Sequence, residues 1–338
     1  MILRNIARPW RCGLGAILLA GLLAGRPSAA EPDARCKRGM ELLDQGQPEQ
    51  AIPLFDEAIK ATPADAVPYY YRGNAYWQKS QFEKALADYD QALLLNPKMV
   101  DAYINRGLTS ASLGRLDKAV ADYTEALRLS PREVDAYVKR AMAYTDQGKF
   151  VQAAADLTDA LGMNPKDADD VYFLRGNVWR SKGDLDHAIA DYTQALRLNA
   201  QYGDAYLNRG TSYDDKGEYD KAIADFNQAL AVNPRDSGAY YNRGNAYWNK
   251  GELEKAVTDY SAAIGLNPRD FDAYNNRGMA YRKQQQWDKA IADFTQAIRL
   301  QPNNAETYTL RGYAWEKKGD KPAAEADYAK AKQLKDKK

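Results

Sequence analysis

Residues 203–236 read GDAYLNRGTSYDDKGEYDKAIADFNQALAVNPRD, and residues 237–270 read SGAYYNRGNAYWNKGELEKAVTDYSAAIGLNPRD. The second segment repeats the spacing of Tyr, Asn-Arg-Gly, Ala and Pro in the first, so the chain has a period of 34 residues. Such a period is typical of repeat proteins, in which each unit packs only against its neighbours. Nine repeats account for every residue after Glu31 except Ala168, which we expect in a connecting turn. Their bounds are 32–65, 66–99, 100–133, 134–167, 169–202, 203–236, 237–270, 271–304 and 305–338.

Each repeat predicts two helices joined by a turn. Within a repeat, position 4 is Tyr and position 8 is Gly in eight of the nine, and position 11 is usually aromatic. This spacing places the three positions on one face of a helix. In the second helix, Ala occupies positions 20 and 27 in every repeat, and an aromatic residue occupies position 24 in eight. Small residues let helices approach closely and the rings fill the remaining space, so we predict an all-α solenoid with a shared core.

This pattern resembles the tetratricopeptide repeat (TPR) family over residues 32–338, through the small residues at positions 8, 20 and 27, the aromatic residues at 4, 11 and 24, and Pro at 32. The resemblance implies a right-handed superhelical solenoid whose first helices line a concave groove. It also implies that the groove binds an extended peptide or a helix of a partner protein. Chaperone-adaptor members grip a terminal carboxylate with a lysine at position 5, and no lysine occurs at that position here.

The first 30 residues differ from the repeats. They contain an arginine-rich start, an apolar run at residues 14–25 and small residues at 28–30, which is the layout of a secretory signal peptide. We therefore predict a signal peptide at residues 1–30 and a periplasmic or secreted protein without membrane insertion after cleavage; an uncleaved anchor is the alternative. Cleavage would remove four arginines and no acid and so change the formal charge from +1 to −3. That charge gives no electrostatic basis for binding nucleic acid.

An arginine and an aspartate recur in fixed positions. Position 7 is Arg in all nine repeats and position 23 is Asp in eight. We interpret them as a structural ion-pair ladder across each helix pair; the alternative is an arginine stripe that binds anions. The pairs singled out are Arg209 with Asp225, Arg243 with Asp259, and Arg277 with Asp293.

Polar and aromatic residues on the remaining face of the first helices are candidates for partner contact. Asparagine amides can pair with the backbone of an extended peptide, and exposed rings at a groove are typical binding anchors. The alternatives are solvated surface for the asparagines and packing between repeats for the rings. The candidates are Asn105, Asn208, Asn242, Asn245, Asn276, Tyr70, Tyr71, Asn74, Trp77, Tyr241 and Trp248.

The sequence offers little for catalysis. The one histidine, His187, lies at position 19, where we expect it to be exposed, and no metal-ligand spacing or glycine-rich phosphate loop occurs. We predict a non-enzymatic, monomeric interaction scaffold without a cofactor or metal. Two alternatives remain: a structural protein that self-associates through its irregular first repeat or Cys36, and a non-catalytic subunit of an envelope enzyme or export complex.

Overall fold

The structure, a computed structural model, describes residues 33–336. All regular secondary structure in that range is α-helical and forms nine consecutive pairs of helices. The helices are α1 (Ala34–Asp44), α2 (Pro48–Ala61), α3 (Ala66–Gln78), α4 (Phe82–Leu95), α5 (Val100–Ser112), α6 (Leu116–Leu129), α7 (Val134–Asp146), α8 (Phe150–Gly162), α9 (Ala168–Lys182), α10 (Leu185–Leu198), α11 (Gly203–Asp215), α12 (Tyr219–Val232), α13 (Ser237–Lys250), α14 (Leu253–Leu266), α15 (Phe271–Lys283), α16 (Trp287–Leu300), α17 (Ala305–Lys318) and α18 (Lys321–Lys335). The prediction of an all-α chain of paired helices is confirmed.

The predicted signal peptide at residues 1–30 lies outside the described residues. None of the helices within residues 33–336 combines the length and the hydropathy that crossing a membrane requires. The chain divides into two compact units, and the boundary lies between Asp167 and Ala168. The first unit contains α1–α8 and the second contains α9–α18.

Two local features concern where helices begin. Ala168 was expected in a connecting turn, but it is the first residue of α9, because alanine is a good helix former and nothing at this position stops the helix from starting one residue early. Pro53 lies inside the second helix of repeat 1, where a proline is expected to kink the helix or delay its start. The helix begins at Pro48, in the same register as the other second helices, and continues through Pro53 to Ala61, so the proline does not delay its start.

The turn inside each helix pair contains one residue in the left-handed conformation. In seven repeats it is glycine, as at Gly251 with φ of 87°. In the other two, Ser80 and Gln285 adopt φ of 57° and 58°. The turn geometry is therefore kept even where glycine is absent, because the connection between the helices requires it.

The core is built on a close contact between position 8 and position 24 of the same repeat. A Cβ added to Gly244 would lie 2.8 Å from Cε1 of Tyr260, and the other position-8 glycines stand in the same relation to their rings. Repeat 4 departs at both positions at once, because Ala141 replaces the glycine and Leu157 replaces the ring. The alanines at positions 20 and 27 are buried in every repeat, as a shared dry interior requires.

The first helices lie on the inner side of each unit. In the first unit α1 contacts α3, α3 contacts α5, and α5 contacts α7; in the second, α9 contacts α11, α11 contacts α13, and α15 contacts α17. Across residues 33–336, no consecutive second helices of a unit make contacts of similar extent. Each unit therefore presents its first helices on the side where neighbouring repeats are closest.

Candidate interaction surface on the first helices

We call the surface formed by positions 6, 9, 12 and 13 of the first helices the inner face, and we describe it separately in each unit. These positions contact their counterparts in the next repeat. For example, Asn276 at position 6 donates to Asn245 at position 9, and Lys283 at position 13 lies over Trp248 at position 12. The inner face is therefore held by contacts between consecutive first helices.

The arginine at position 7 and the aspartate at position 23 meet within one repeat. Arg209 donates from Nε and from Nη2 to the two carboxylate oxygens of Asp225, each at 2.7 Å. Such a two-point contact fixes both side chains in geometry as well as in charge. The same contact joins Arg72–Asp88, Arg106–Asp122, Arg140–Asp156, Arg175–Asp191, Arg243–Asp259, Arg277–Asp293 and Arg311–Asp327.

The remaining edge of these guanidinium groups reaches the preceding repeat. Arg209 Nη1 donates to Thr193 Oγ1 at 3.0 Å, and the guanidinium carbon lies 5.7 Å from the centroid of the Tyr206 ring. Because the group is engaged on three sides, this geometry favours the structural interpretation over the anion-binding one. In repeat 1, where Leu54 replaces the aspartate, Arg38 instead pairs with Glu41 on its own helix.

A second ladder, which the sequence reasoning missed, joins position 14 to position 18 of the preceding repeat. Lys250 Nζ lies 2.7 Å from Asp220 Oδ1, and Lys79 Nζ lies 3.0 Å from Glu49 Oε1. These pairs are exposed, so each contributes little to stability. The other members are Lys216–Asp186, Lys318–Asp288, Gln147–Asp117 and Gln284–Glu254.

Several candidate asparagines belong to buried networks that join two repeats. In the first unit, Asn105 Nδ2 donates to Asn74 Oδ1 and to the Tyr70 hydroxyl, both at 3.0 Å. The Tyr89 hydroxyl donates to the same Asn74 oxygen at 2.8 Å. Tyr70, Asn74 and Asn105 are each at most 5% exposed. The prediction that these three residues line an open groove fails because they satisfy a buried tyrosine hydroxyl instead.

The second unit repeats this arrangement. Asn276 Nδ2 donates to Asn245 Oδ1 at 3.1 Å and to the Tyr241 hydroxyl at 3.0 Å, while the Tyr260 hydroxyl donates to Asn245 at 2.9 Å. The polar groups of these residues are therefore engaged within the protein, although the residues are only partly buried.

A third network joins repeats 5 and 6. Asn208 Nδ2 donates to Asn177 Oδ1 at 2.8 Å, and the Tyr192 hydroxyl donates to the same oxygen at 2.7 Å. Asn242 makes no side-chain hydrogen bond within residues 33–336, because the repeat before it has Phe226 and Thr211 at the network positions. The sequence carries this signal: each Asn at position 9 accompanies Tyr at position 24 and Asn at position 6 of the next repeat.

The candidate rings divide between packing and exposure. The Tyr71 ring stacks on that of Phe55 in the preceding repeat, with 6.2 Å between the ring centroids, so Tyr71 contributes to packing between repeats. Trp77 and Trp248 both occupy position 12 and are partly buried. The Trp77 indole nitrogen is buried and has no hydrogen-bond partner among the described residues. The Lys283 ammonium lies 4.4 Å from the centroid of the Trp248 ring.

The structure adds residues that the sequence reasoning did not single out. Tyr313 at position 9 of the last repeat is 38% exposed. The Arg282 guanidinium and the Lys317 ammonium lie 5.5 and 5.3 Å from the centroid of its ring. The basic residues at position 12 of repeat 8 and at position 13 of repeat 9 were visible in the sequence, but their meeting at one ring was not.

The cysteine and the histidine have local roles. Cys36 is 1% exposed, and burial raises the pKa of its thiol to about 12, which fits a small hydrophobic residue better than a reactive one. His187 is exposed, with Nδ1 2.9 Å from Asp184 and its ring 5.0 Å from that of Trp179. Within residues 33–336, no three His, Cys, Asp or Glu side chains are grouped as metal ligands.

Solved structures of similar proteins include MamA, whose crystal structure is 30% identical, has a TM-score of 0.47, and is matched over 48% of this chain and 95% of that one. YrrB, described as a TPR protein with an unusual peptide-binding site, is 25% identical with a TM-score of 0.47, over 55% of this chain and 95% of that one. A tetratricopeptide repeat protein from Parabacteroides merdae ATCC 43184 is 21% identical with a TM-score of 0.49, and the match covers 83% of this chain and 97% of that one. No curated protein matches the sequence.

Five family models, four described as tetratricopeptide repeat and one as TPR repeat, also match the chain. The matched residues are 39–80, 73–138, 134–167, 176–214, 207–271 and 271–304. Two of these matches, 134–167 and 271–304, coincide with predicted repeats. Because models of the same family match successive segments from residue 39 to residue 304, the protein belongs to the tetratricopeptide repeat family.

Proposed function

We propose that the protein is an exported, non-catalytic scaffold that binds a segment of a partner protein on the inner face of its first helices. Its family supports the interaction role, since repeats of this kind present extended surfaces for binding. Export belongs to the proposal because residues 1–30 have the layout of a secretory signal peptide.

The observation that carries the proposal is a pair of tryptophans on the inner face. Trp77 in the first unit and Trp248 in the second hold the same repeat position, and neither is fully buried. The rings at position 24 fill the centre of the core, and Trp77 packs at its edge, where part of the indole stays accessible. Tryptophan contributes strongly to interfaces because it offers a large apolar area and one hydrogen-bond donor. The unpartnered indole nitrogen of Trp77 fits this role.

The second unit also offers a free amide. The side-chain amides of Asn208 and Asn276 donate hydrogen bonds to the preceding repeat, whereas that of Asn242 does not. An amide can donate to and accept from the backbone of an extended segment. Asn242 therefore remains a candidate for direct contact, together with Trp248 on the same helix.

The self-associating alternative has less support. It relied on the first repeat or on Cys36, and Cys36 lies in the core formed with Leu42 and Phe55. A thiol in that position cannot form a disulfide with another chain unless the repeat opens.

Site-specific photo-crosslinking tests the interaction role. A photoreactive residue is placed at Asn249, which is exposed on the inner face, or at Gln228, which is exposed on second helix α12. We expect discrete protein adducts in cells from position 249 and none from position 228. Adducts of equal yield from both positions, or none from position 249, would refute binding on the inner face.

Export is tested independently by mass spectrometry of the chain purified from its own cells. The proposal expects an N-terminus at or near Glu31 and recovery outside the cytoplasm. A chain that retains Met1 and sediments with membranes would support the uncleaved anchor instead.

A further inference from the structure

Three cations on the inner face of the second unit have no carboxylate partner among residues 33–336. Arg282 and Lys283 lie in the last turn of α15, and Lys317 lies in the last turn of α17. Their recorded contacts are to aromatic rings: Arg282 and Lys317 to Tyr313, and Lys283 to Trp248. Neighbouring cations behave differently, because Lys318 and Lys250, at position 14, both form ion pairs.

Helix ends alone do not explain this group. Basic residues in a last turn interact favourably with the dipole of their own helix, but that effect gives no reason for cations of two helices to meet. Here two cations from different helices lie within 6 Å of one ring, so like charges are brought together. Tyr313 is exposed beside them, and the Trp287 ring lies 6.3 Å from it. The arrangement is an exposed aromatic surface with unneutralised positive charge.

Two carboxylates at the same helix positions lie two repeats before Arg282 and Lys283. Positions 12 and 13 of repeat 6 are Asp214 and Asp215. Asp214 accepts from the Asn249 amide at 3.2 Å, and the nearest cation to Asp215 is Arg180 at 3.9 Å. A long polyanion such as a nucleic acid would meet these carboxylates. At positions 12 and 13 of α13, α15 and α17, a short acidic stretch would meet only one carboxylate, that of Glu316, which accepts from the Tyr328 hydroxyl at 2.8 Å.

We propose that the inner face of α13, α15 and α17 binds an acidic, extended segment of a partner protein, with carboxylates at Arg282, Lys283 and Lys317 and an apolar side chain between Trp248 and Tyr313. This inference rests on the proposed function and names the chemistry of the partner segment. The lysine at position 5 with which chaperone-adaptor members grip a terminal carboxylate is missing, so the proposed segment is recognised through its side-chain carboxylates.

The probe is a fluorescein-labelled peptide with an amidated C-terminus, Gly-Ser-Glu-Glu-Leu-Asp-Glu-Tyr-Ser-Gly, measured by anisotropy. Its counterparts replace the four acids with amides or with lysines, and a single-stranded DNA of similar length tests for a general polyanion site. We expect the acidic peptide to bind about tenfold more tightly than the amide peptide, and we expect its affinity to fall as salt is added. Equal binding of the acidic and amide peptides, or tighter binding of the DNA, would overturn the proposal.

Two triple variants locate the binding. The test variant carries Arg282→Glu, Lys283→Glu and Lys317→Glu. The control carries Arg299→Glu, Lys330→Glu and Lys332→Glu, which lie exposed on second helices and change the net charge equally. We expect the test variant to lose about tenfold or more in affinity, and the control to stay within about twofold, because only contacts at the site depend on position. Equal losses of affinity in the two variants would show that binding depends on net charge alone, which would refute the proposal.

Folding of the test variant is checked by circular dichroism and thermal unfolding. If it is unfolded, a milder variant with glutamine at the same three positions is used instead. That variant should also lose affinity for the acidic peptide, by a smaller factor. If the acidic peptide fails to bind while crosslinking at position 249 still captures a protein, the acidic preference is wrong and the interaction role stands.

Discussion

The ring of Phe226 lies against Gly210 so closely that a Cβ added to the glycine would be 2.8 Å from Cε1 of the ring. Two carbon atoms cannot approach so closely without strain, so a ring at position 226 requires glycine at position 210. The first helix of repeat 6 can pack on the second only because position 8 has no side chain.

Replacing Gly210 with Ala should therefore destabilise the protein by about 1–3 kcal/mol, the usual cost of overpacking. The control is Gly265→Ala in α14, where nothing lies within 4 Å of the added Cβ, and alanine there should stabilise by up to about 1 kcal/mol. Urea denaturation measures both. Adding Phe226→Leu to Gly210→Ala should recover part of the loss, because repeat 4 pairs Ala141 with Leu157. A stabilising Gly210→Ala would contradict the packing scheme.

Arg209→Ala should cost more than the loss of an exposed arginine. The side chains of Arg209 and Asp225 are 17% and 8% exposed, so removing the guanidinium leaves a buried carboxylate unpaired. We expect a loss of about 2 kcal/mol or more in the free energy of unfolding, since breaking a fully buried pair costs about 3–5 kcal/mol. Arg299→Ala, on an exposed face, should change it by less than about 0.5 kcal/mol. Equal melting temperatures for the two variants would rule out a structural ladder.

Asn245→Ala and Asn242→Ala separate the asparagines by role. The first removes the acceptor of the Tyr260 hydroxyl and of the Asn276 amide. Leaving such groups unsatisfied costs about 1–3 kcal/mol, so Asn245→Ala should lower the midpoint of thermal unfolding. Asn242→Ala should leave stability nearly unchanged and weaken only partner binding. If both variants unfold at the same temperature, the network at Asn245 contributes nothing.

Asp101 should make stability depend on pH. Burial, followed by the charges of Glu133 and Asp135, raises the pKa of Asp101 to about 6, well above the usual range of an aspartate. The folded state therefore binds a proton more tightly than the unfolded state, and this group's contribution to stability declines as pH rises from about 4 through 6. Asp101→Asn should raise the melting temperature at pH 8 and change it little at pH 4.5. An equal effect at both pH values, or the same pattern for exposed Glu325→Gln, would refute this account.

Much of the fold could be predicted from residues within one repeat. Gly210 and Ala222 stand a fixed distance apart in sequence, and their small size already implies close helix contact. The register of the turns was equally accessible, and even the exceptions Ser80 and Gln285 follow it. The candidate site was less predictable. Asn105 and Asn242 both hold position 6 of their repeats, yet Asn105 is buried and hydrogen-bonded, whereas the Asn242 amide makes no side-chain hydrogen bond within residues 33–336.

The sequence by itself determined the period, the helix pairs and the placement of small and large residues, because volumes must match within each 34-residue unit and that matching is local. Only the tertiary structure decided which polar groups are available to a partner. Asn245 is engaged because Tyr260 and Asn276 approach it from two different helices, and Arg282 and Lys317 meet at Tyr313 without an ion pair among the described residues. Hydrogen bonds and ion pairs form only within about 3 Å and in the right direction, and sequence spacing does not fix positions in space that finely.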